Sequence, residues 1–205
     1  MDIQRPRWSE HGRSRGVVLA VAVAMSLLGD PLSPAAAQAQ ITPPPACTAG
    51  ARPTPSQTEG PYFKAGAPQR ISLLEPGMTG TKLIVTGYVL TRDCRPVVRA
   101  RLDFWQADER GEYDNTGFRL RGHQFTDSAG RYYLETIVPG LYPGRTRHIH
   151  VKIQAPNQVA LTTQLYFPGE SRNQNDGIYN QTLLVAVREG AGGKIATFTF
   201  ILDTR

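Results

Sequence analysis

Between Lys82 and Leu202 the chain is cut into short segments rich in β-branched and aromatic residues, each closed by a turn signal, and this punctuation constrains the fold more than any other feature. The segments are Lys82–Leu90 (KLIVTGYVL), Ala100–Gln106 (ARLDFWQ), Arg131–Val138 (RYYLETIV), Arg147–Gln154 (RHIHVKIQ), Thr162–Phe167, Thr182–Arg188 (TLLVAVR) and Ala196–Leu202 (ATFTFIL). Several alternate apolar with polar side chains, the period of a strand that buries one face. Between them lie Asp108–Gly111, Asp127–Gly130, Pro139-Gly140, Pro143-Gly144, Pro168-Gly169 and Gly190–Gly193, where glycine and proline favour reversal of the chain. Seven or more short strands at this spacing predict an all-β fold, an antiparallel β-sandwich with short connecting loops. The 16 prolines and 20 glycines point the same way, and no stretch beyond the N-terminal leader has a helical period.

The N-terminus has a different composition. Arg5, Arg7, Arg13 and Arg15 precede the apolar run Val17–Leu28, and the small-residue stretch Ala35-Ala36-Ala37-Gln38-Ala39 follows. A positive region, a hydrophobic region and an A-x-A-like cleavage site make residues 1–39 a secretory signal, so the protein is expected to be secreted or periplasmic. The apolar run is short for a bilayer span, and no stable membrane span is expected after cleavage. Residues 40–70 read as an extended, proline-rich arm, and residues 71–205 as the β-sandwich domain. Cys47 and Cys94 both lie beyond the cleavage site, and an even pair in an oxidising compartment reads as a disulfide. The net charge of +6 is dispersed, with no run of five or six like charges, which argues against a nucleic-acid partner.

The chemistry concentrates around His148-Ile149-His150. On a strand, residues i and i+2 project to the same face, so both imidazoles point one way and Ile149 the other. Alone, the pair is as consistent with a structural role as with half of a metal site. Tyr142 lies just upstream in Pro139-Gly-Leu-Tyr-Pro-Gly-Arg145, a turn able to bring a phenol over the strand's end, although a packed turn aromatic fits equally well. Tyr113 follows the strand that ends near Gln106, and by itself it reads as a surface residue. Together, two phenols and two imidazoles suit a hard, oxidised ion such as Fe(III) better than zinc or magnesium. A bound cation would in turn acidify its phenol ligands.

These residues sit in motifs that resemble the intradiol ring-cleavage dioxygenases, the family of catechol 1,2-dioxygenase and protocatechuate 3,4-dioxygenase. The motifs are Thr54–Tyr62 (TPSQTEGPY), Trp105–Tyr113 (WQADERGEY), Phe118–Gly122 (FRLRG), Thr126–Tyr133 (TDSAGRYY), Thr136–Pro143 (TIVPGLYP), Arg145–His150 (RTRHIH) and Thr163–Gly169 (TQLYFPG), in the family's order. The resemblance implies a mononuclear non-haem Fe(III) held by Tyr113, Tyr142, His148 and His150. It implies that Tyr142 is the phenolate that leaves the metal when substrate binds, that Arg145 favours negative charge developing on the substrate, and that Gln164 lies beside Arg145. Thr58, Gly60, Pro61 and Tyr62 would line the substrate pocket. The implied reaction is cleavage of a catechol-type small molecule by O2 to a cis,cis-muconate-type diacid.

The chain departs from larger members of that family. The stretch from Tyr142 to His148 is short, and no long helical segment precedes the strands, which places it with the compact, exported members and leaves the particular catechol open. Two other readings compete. A transthyretin-like β-sandwich module without catalysis needs neither His-x-His nor Tyr113. A copper or zinc protein would recruit His123 to His148 and His150.

Overall fold

The structure, a computed structural model, describes residues 47–204; the leader read at residues 1–39 and the first residues of the arm lie outside them. The described residues form eight strands: β1 (Lys82–Thr91), β2 (Arg101–Trp105), β3 (Arg121–Phe125), β4 (Arg131–Ile137), β5 (His148–Gln154), β6 (Leu161–Tyr166), β7 (Ala186–Gly190) and β8 (Gly193–Leu202). They make two four-stranded sheets, ordered β4-β1-β8-β7 and β3-β2-β5-β6, with only two short 3-10 turns at Ser171–Asn175 and Gln181–Leu183. The all-β sandwich expected from the turn punctuation is therefore the fold.

Its core follows the period-2 rule strand by strand. Leu83, Val85 and Val89 of β1, Leu134 of β4 and Ala196 and Phe200 of β8 are buried together with Leu102 and Phe104 of β2, Ile149, Val151 and Ile153 of β5 and Leu165 of β6. Full burial of each aliphatic or phenylalanine side chain contributes roughly 1.5–3 kcal/mol before entropy is counted. With Ile149, Val151 and Ile153 committed to the core, His148, His150 and Lys152 must face outward, away from the other sheet.

Three local features depart from the sequence expectations. The pairing is antiparallel except between β1 and β8, which run parallel from Leu83 opposite Lys194 to Thr91 opposite Leu202. Gly87 permits this close approach, because a Cβ there would lie 1.8 Å from the carbonyl oxygen of Phe198. Strand β3 has no signature of its own: RGHQF contains no β-branched residue, and it is made a strand by pairing with β2 and by a bridge from Gln69 of the arm to His123. Thr182–Arg188 is not one strand. The Asn180 side chain accepts from the Thr182 backbone N–H (3.0 Å) and hydroxyl (2.7 Å), which folds Gln181–Leu183 into a 3-10 turn and delays β7 to Ala186.

Residues 47–81 cross this sandwich with isolated bridges rather than strands. Their backbone is nevertheless paired: Thr54 N–H donates to the Ile201 carbonyl, Gln57 N–H to the Thr162 carbonyl, and Leu73 N–H to the Glu135 carbonyl. Cys47 is bonded to Cys94 in the turn after β1.

Candidate metal centre

Three pieces of chain meet over the outward face of β5. The turn Tyr142-Pro-Gly-Arg145 closes with Arg145 N–H donating to the Tyr142 carbonyl at 3.1 Å, and it delivers Tyr142 just ahead of the strand. The loop leaving β2 is shaped by the Asp108 carboxylate, which accepts from Arg110 N–H (2.9 Å) and Glu112 N–H (3.0 Å) and so sets Tyr113. The arm supplies the third piece, Thr58–Lys64.

The polar ends converge. Nε2 of His148 and Nε2 of His150 are 3.1 Å apart, and the Tyr113 hydroxyl is 3.4 Å from His148 Nε2. The Tyr113 and Tyr142 rings meet edge-on with centroids 5.8 Å apart. His148 Nδ1 donates to the Thr146 carbonyl at 2.6 Å, a contact only a protonated Nδ1 makes, so its Nε2 presents a lone pair. Burial lowers His148 to about 4 and holds His150 well below the ordinary histidine value, with the neighbouring His148 and Arg145 adding to the shift of His150. Both imidazoles are thus neutral. Two ring nitrogens facing each other at 3.1 Å need a proton or a cation between them, and the His150 Nδ1 is buried without a hydrogen-bond partner among the described residues.

Burial also pushes the Tyr113 phenol far above its usual value, an effect that Arg145 and Arg121 offset in part. A phenolate at that position therefore requires a strong local positive charge. No cluster of three or more His, Cys, Asp or Glu capable of holding a metal exists among the described residues, so a metal reading depends on the tyrosines. The donor set of two neutral imidazole nitrogens and phenol oxygens fits a hard, oxidised ion.

The arm forms a wall of the site. Gly60 has φ +69°, and a Cβ on it would lie 3.4 Å from His150 Cε1. The Thr58 hydroxyl accepts from Gly60 N–H at 3.2 Å, and Pro61 begins the turn that carries Tyr62. Tyr62 stacks on Tyr113 (centroids 4.5 Å, 14°), and its hydroxyl is 2.8 Å from that of Tyr142, a bond that raises the Tyr62 phenol. The segment is pinned at both ends. Lys152 on β5 pairs with Glu59 and lies 3.7 Å over the Phe63 ring, and Lys64 donates to the Thr116 carbonyl at 2.6 Å. Buried Arg121 joins the arm to the Tyr113 loop, donating to the Tyr62 carbonyl and, at 2.8 Å, to the Asp114 carbonyl.

Arg145 stands beside the histidines on a buried polar network. Its Nη2 donates to Gln164 Oε1 at 2.7 Å, and Gln164 in turn donates through Nε2 to the Thr58 carbonyl at 3.0 Å. The register of β5 and β6 places Gln164 directly opposite His150. Tyr166 adds a hydroxyl 3.4 Å from Arg145 Nη2, its phenol pushed up to about 12 by burial.

All residues singled out in the sequence as metal, catalytic or pocket residues thus meet at one place. Several participants carried no such expectation. Trp105, Arg121 and Tyr166 sit inside the quoted motifs, but nothing about them distinguishes a site residue from a packed one. Lys152 continues the outward period of His148 and His150, which is the signal that finds it. Asp176 lies in a loop with no pattern at all. His123 takes no part: its Nδ1 is 2.7 Å from the Ala67 carbonyl and its ring abuts Phe125.

Comparison with known proteins shows what the chain as a whole is similar to. The dioxygenase family model Dioxygenase_C matches residues 58–203. Catechol 1,2-dioxygenase of Acinetobacter baylyi is 30% identical over 166 residues, covering 67% of this chain and 51% of that protein. The protocatechuate 3,4-dioxygenase beta chain of Burkholderia cepacia is 33% identical over 121 residues, covering 50% of this chain and 52% of its own. The chain spans about half the length of these relatives. The solved dioxygenase domain of a dioxygenase carbohydrate-binding protein fusion from Streptomyces sp. SirexAA-E is 56% identical with a TM-score of 0.74, covering 75% of this chain and 100% of that domain.

Proposed function

The chain belongs to the intradiol ring-cleavage dioxygenase family, and from that premise we propose that it opens a catechol-type aromatic between its two hydroxyl-bearing carbons with O2, at a mononuclear non-haem Fe(III), to give a cis,cis-muconate-type diacid. The observation that carries the reading is the meeting of Tyr113 Oη, His148 Nε2 and His150 Nε2 beside Tyr142, on one outward face of β5.

Tyr113, Tyr142, His148 and His150 are the ligands in this reading. When bound, ferric iron supplies Lewis acidity to a chelated catechol and a template for the addition of oxygen. The histidines, kept neutral by burial, offer nitrogen lone pairs without adding charge. A catechol would shed two protons to chelate: Tyr142 Oη, as phenolate, would take one, and a hydroxide from solvent the other, leaving as water. As a neutral phenol it keeps the Tyr62 hydroxyl, 2.8 Å away, as a partner. Arg145, held by Gln164, brings a fixed positive charge to a reaction that builds negative charge on the ring. Thr58, Gly60, Pro61 and Tyr62 form the arm side of the site.

Export is part of the proposal. The arginine-led apolar leader supports it, as does the Cys47–Cys94 disulfide, a bond that persists in oxidising compartments.

The test is made on the purified full chain. Expected are iron in equimolar amount, a burgundy-red colour from phenolate-to-iron charge transfer, and O2 uptake matched by a ring-opened diacid with at least one of catechol, protocatechuate, hydroxyquinol and chlorinated catechols. A colourless protein replete with another metal overturns the reading, as does an iron protein that opens none of these rings.

A further inference from the structure

The side chain of Asp176 is 2% exposed, in the loop that follows β6, far in sequence from every residue of the proposed ligand set. Its Oδ2 accepts from Arg145 Nε and from Thr146 N–H, each at 2.9 Å, and its Oδ1 accepts from Ile178 N–H at 3.1 Å. The loop that carries it is fastened to the chain entering β5. The Thr146 hydroxyl bonds to Asn173 Oδ1 at 2.6 Å, Asn173 Nδ2 donates to the Phe167 carbonyl at 2.9 Å, and Arg147 pairs with Glu170 at 2.6 Å.

Arg145 is therefore gripped on two sides, at Nε by Asp176 and at Nη2 by Gln164, while its Nη1 has no partner among the described residues. A guanidinium is planar, so fixing two of its nitrogens fixes the third. A buried ion pair by itself is weak evidence for stability, since apolar residues of similar volume often serve the fold as well. Orientation is a different matter, because a charge already in place needs no reorganisation when charge develops on a substrate.

We propose that Asp176 is a positioning residue that locks the Arg145 guanidinium and leaves its Nη1 edge to the reacting substrate; the claim rests on the intradiol reading of the site. Asp176 touches no substrate in this scheme and acts through Arg145 alone.

The experiment is a double-mutant cycle on the iron-loaded full chain, D176N crossed with R145K, with kcat, KM, visible spectrum, iron content and crystal structures as readouts. In D176N, kcat falls about tenfold or more while KM stays within about threefold, as expected when an interaction made chiefly in the transition state is lost. Iron content and the visible band stay as in the wild type, and the guanidinium leaves Gln164 in the crystal. The double variant is no slower than R145K alone, because both changes remove one device. The proposal is overturned by D176N with kcat within twofold of wild type, by an Arg145 that keeps its place, or by losses that multiply in full. Should D176N not accumulate as folded protein, the same cycle is run on D176E, which moves the carboxylate without removing its charge. A wild type that binds no iron and opens no catechol overturns the intradiol reading instead, and the position of Arg145 in the D176N crystal then decides the positioning claim separately.

Discussion

Trp105 lies flat on His150, with ring planes 7° apart and centroids 4.8 Å apart. The two histidines are thus fixed by different means. His148 is oriented by a hydrogen bond to the Thr146 carbonyl, whereas His150 Nδ1 has no such partner among the described residues and the ring is held by Trp105 and by Gly60 against its Cε1 edge. Supporting contacts of this kind set how well a ligand holds its metal. Trp105→Leu removes the stacking surface, and iron affinity is expected to fall about tenfold, read by competition with a chelator. Affinity within twofold of wild type would show that stacking is not what holds the ring.

Gly60→Ala tests the other side of the same imidazole. The residue has φ +69°, a conformation that disfavours a Cβ by roughly 1–2 kcal/mol, and the added methyl meets His150 Cε1 at 3.4 Å. Urea denaturation should report a loss of about 1 kcal/mol, with kcat reduced in parallel. Unchanged stability and turnover would mean that the arm has room to shift.

The proposed ligands separate by role. His148→Ala and His150→Ala are expected to lose iron, since two phenolates and one imidazole under-coordinate the ion. Tyr142→Phe is expected to keep iron, shift the colour and slow turnover. Elemental analysis and the visible spectrum decide it: histidine variants with full iron and full activity would refute the assignment.

Asp114 gives the fold an acid limit beside Tyr113. Its carboxylate accepts from Gly117, Arg119 and Thr116 backbone N–H groups at 2.7, 2.9 and 2.9 Å, bonds that hold its pKa far below the ordinary 3.8. The folded value lies below the unfolded one, so the stabilisation is present above pH 3.8 and is lost as pH falls through the folded value. In Asp114→Asn this part of the acid loss disappears, and chemical denaturation from neutral pH downward should show a shallower decline than in the wild type. Identical slopes would remove Asp114 as its source.

The sheets were legible because apolar alternation and turn residues agree along most of the chain, from KLIVTGYVL to ATFTFIL. Where they failed, tertiary pairing decided. RGHQF is a strand only because β2 and the arm offer it partners, and Asn180 outcompetes β pairing over Gln181–Leu183 through its own side chain. At the site, His148 and His150 announced themselves by spacing, and the tyrosines by motif. Trp105 and Asp176 did not, because a stacking plane and a second grip on an arginine depend on register and loop closure, neither of which leaves a local period.

The parallel pairing of β1 with β8 has a consequence for how the chain is made. β8, the last strand among the described residues, lies inside its sheet between β1 and β7 and contributes Ala196 and Phe200 to the core. A polypeptide emerging from its N-terminus therefore displays the β8-facing edge of β1 until β8 has been made. Contacts between such distant segments put folding in the slow, millisecond-to-second class, about the pace of other non-local β topologies. A nascent chain arrested before Gly193 keeps that edge exposed, a template for pairing with a second arrested copy. Self-association is the failure that such an open edge favours.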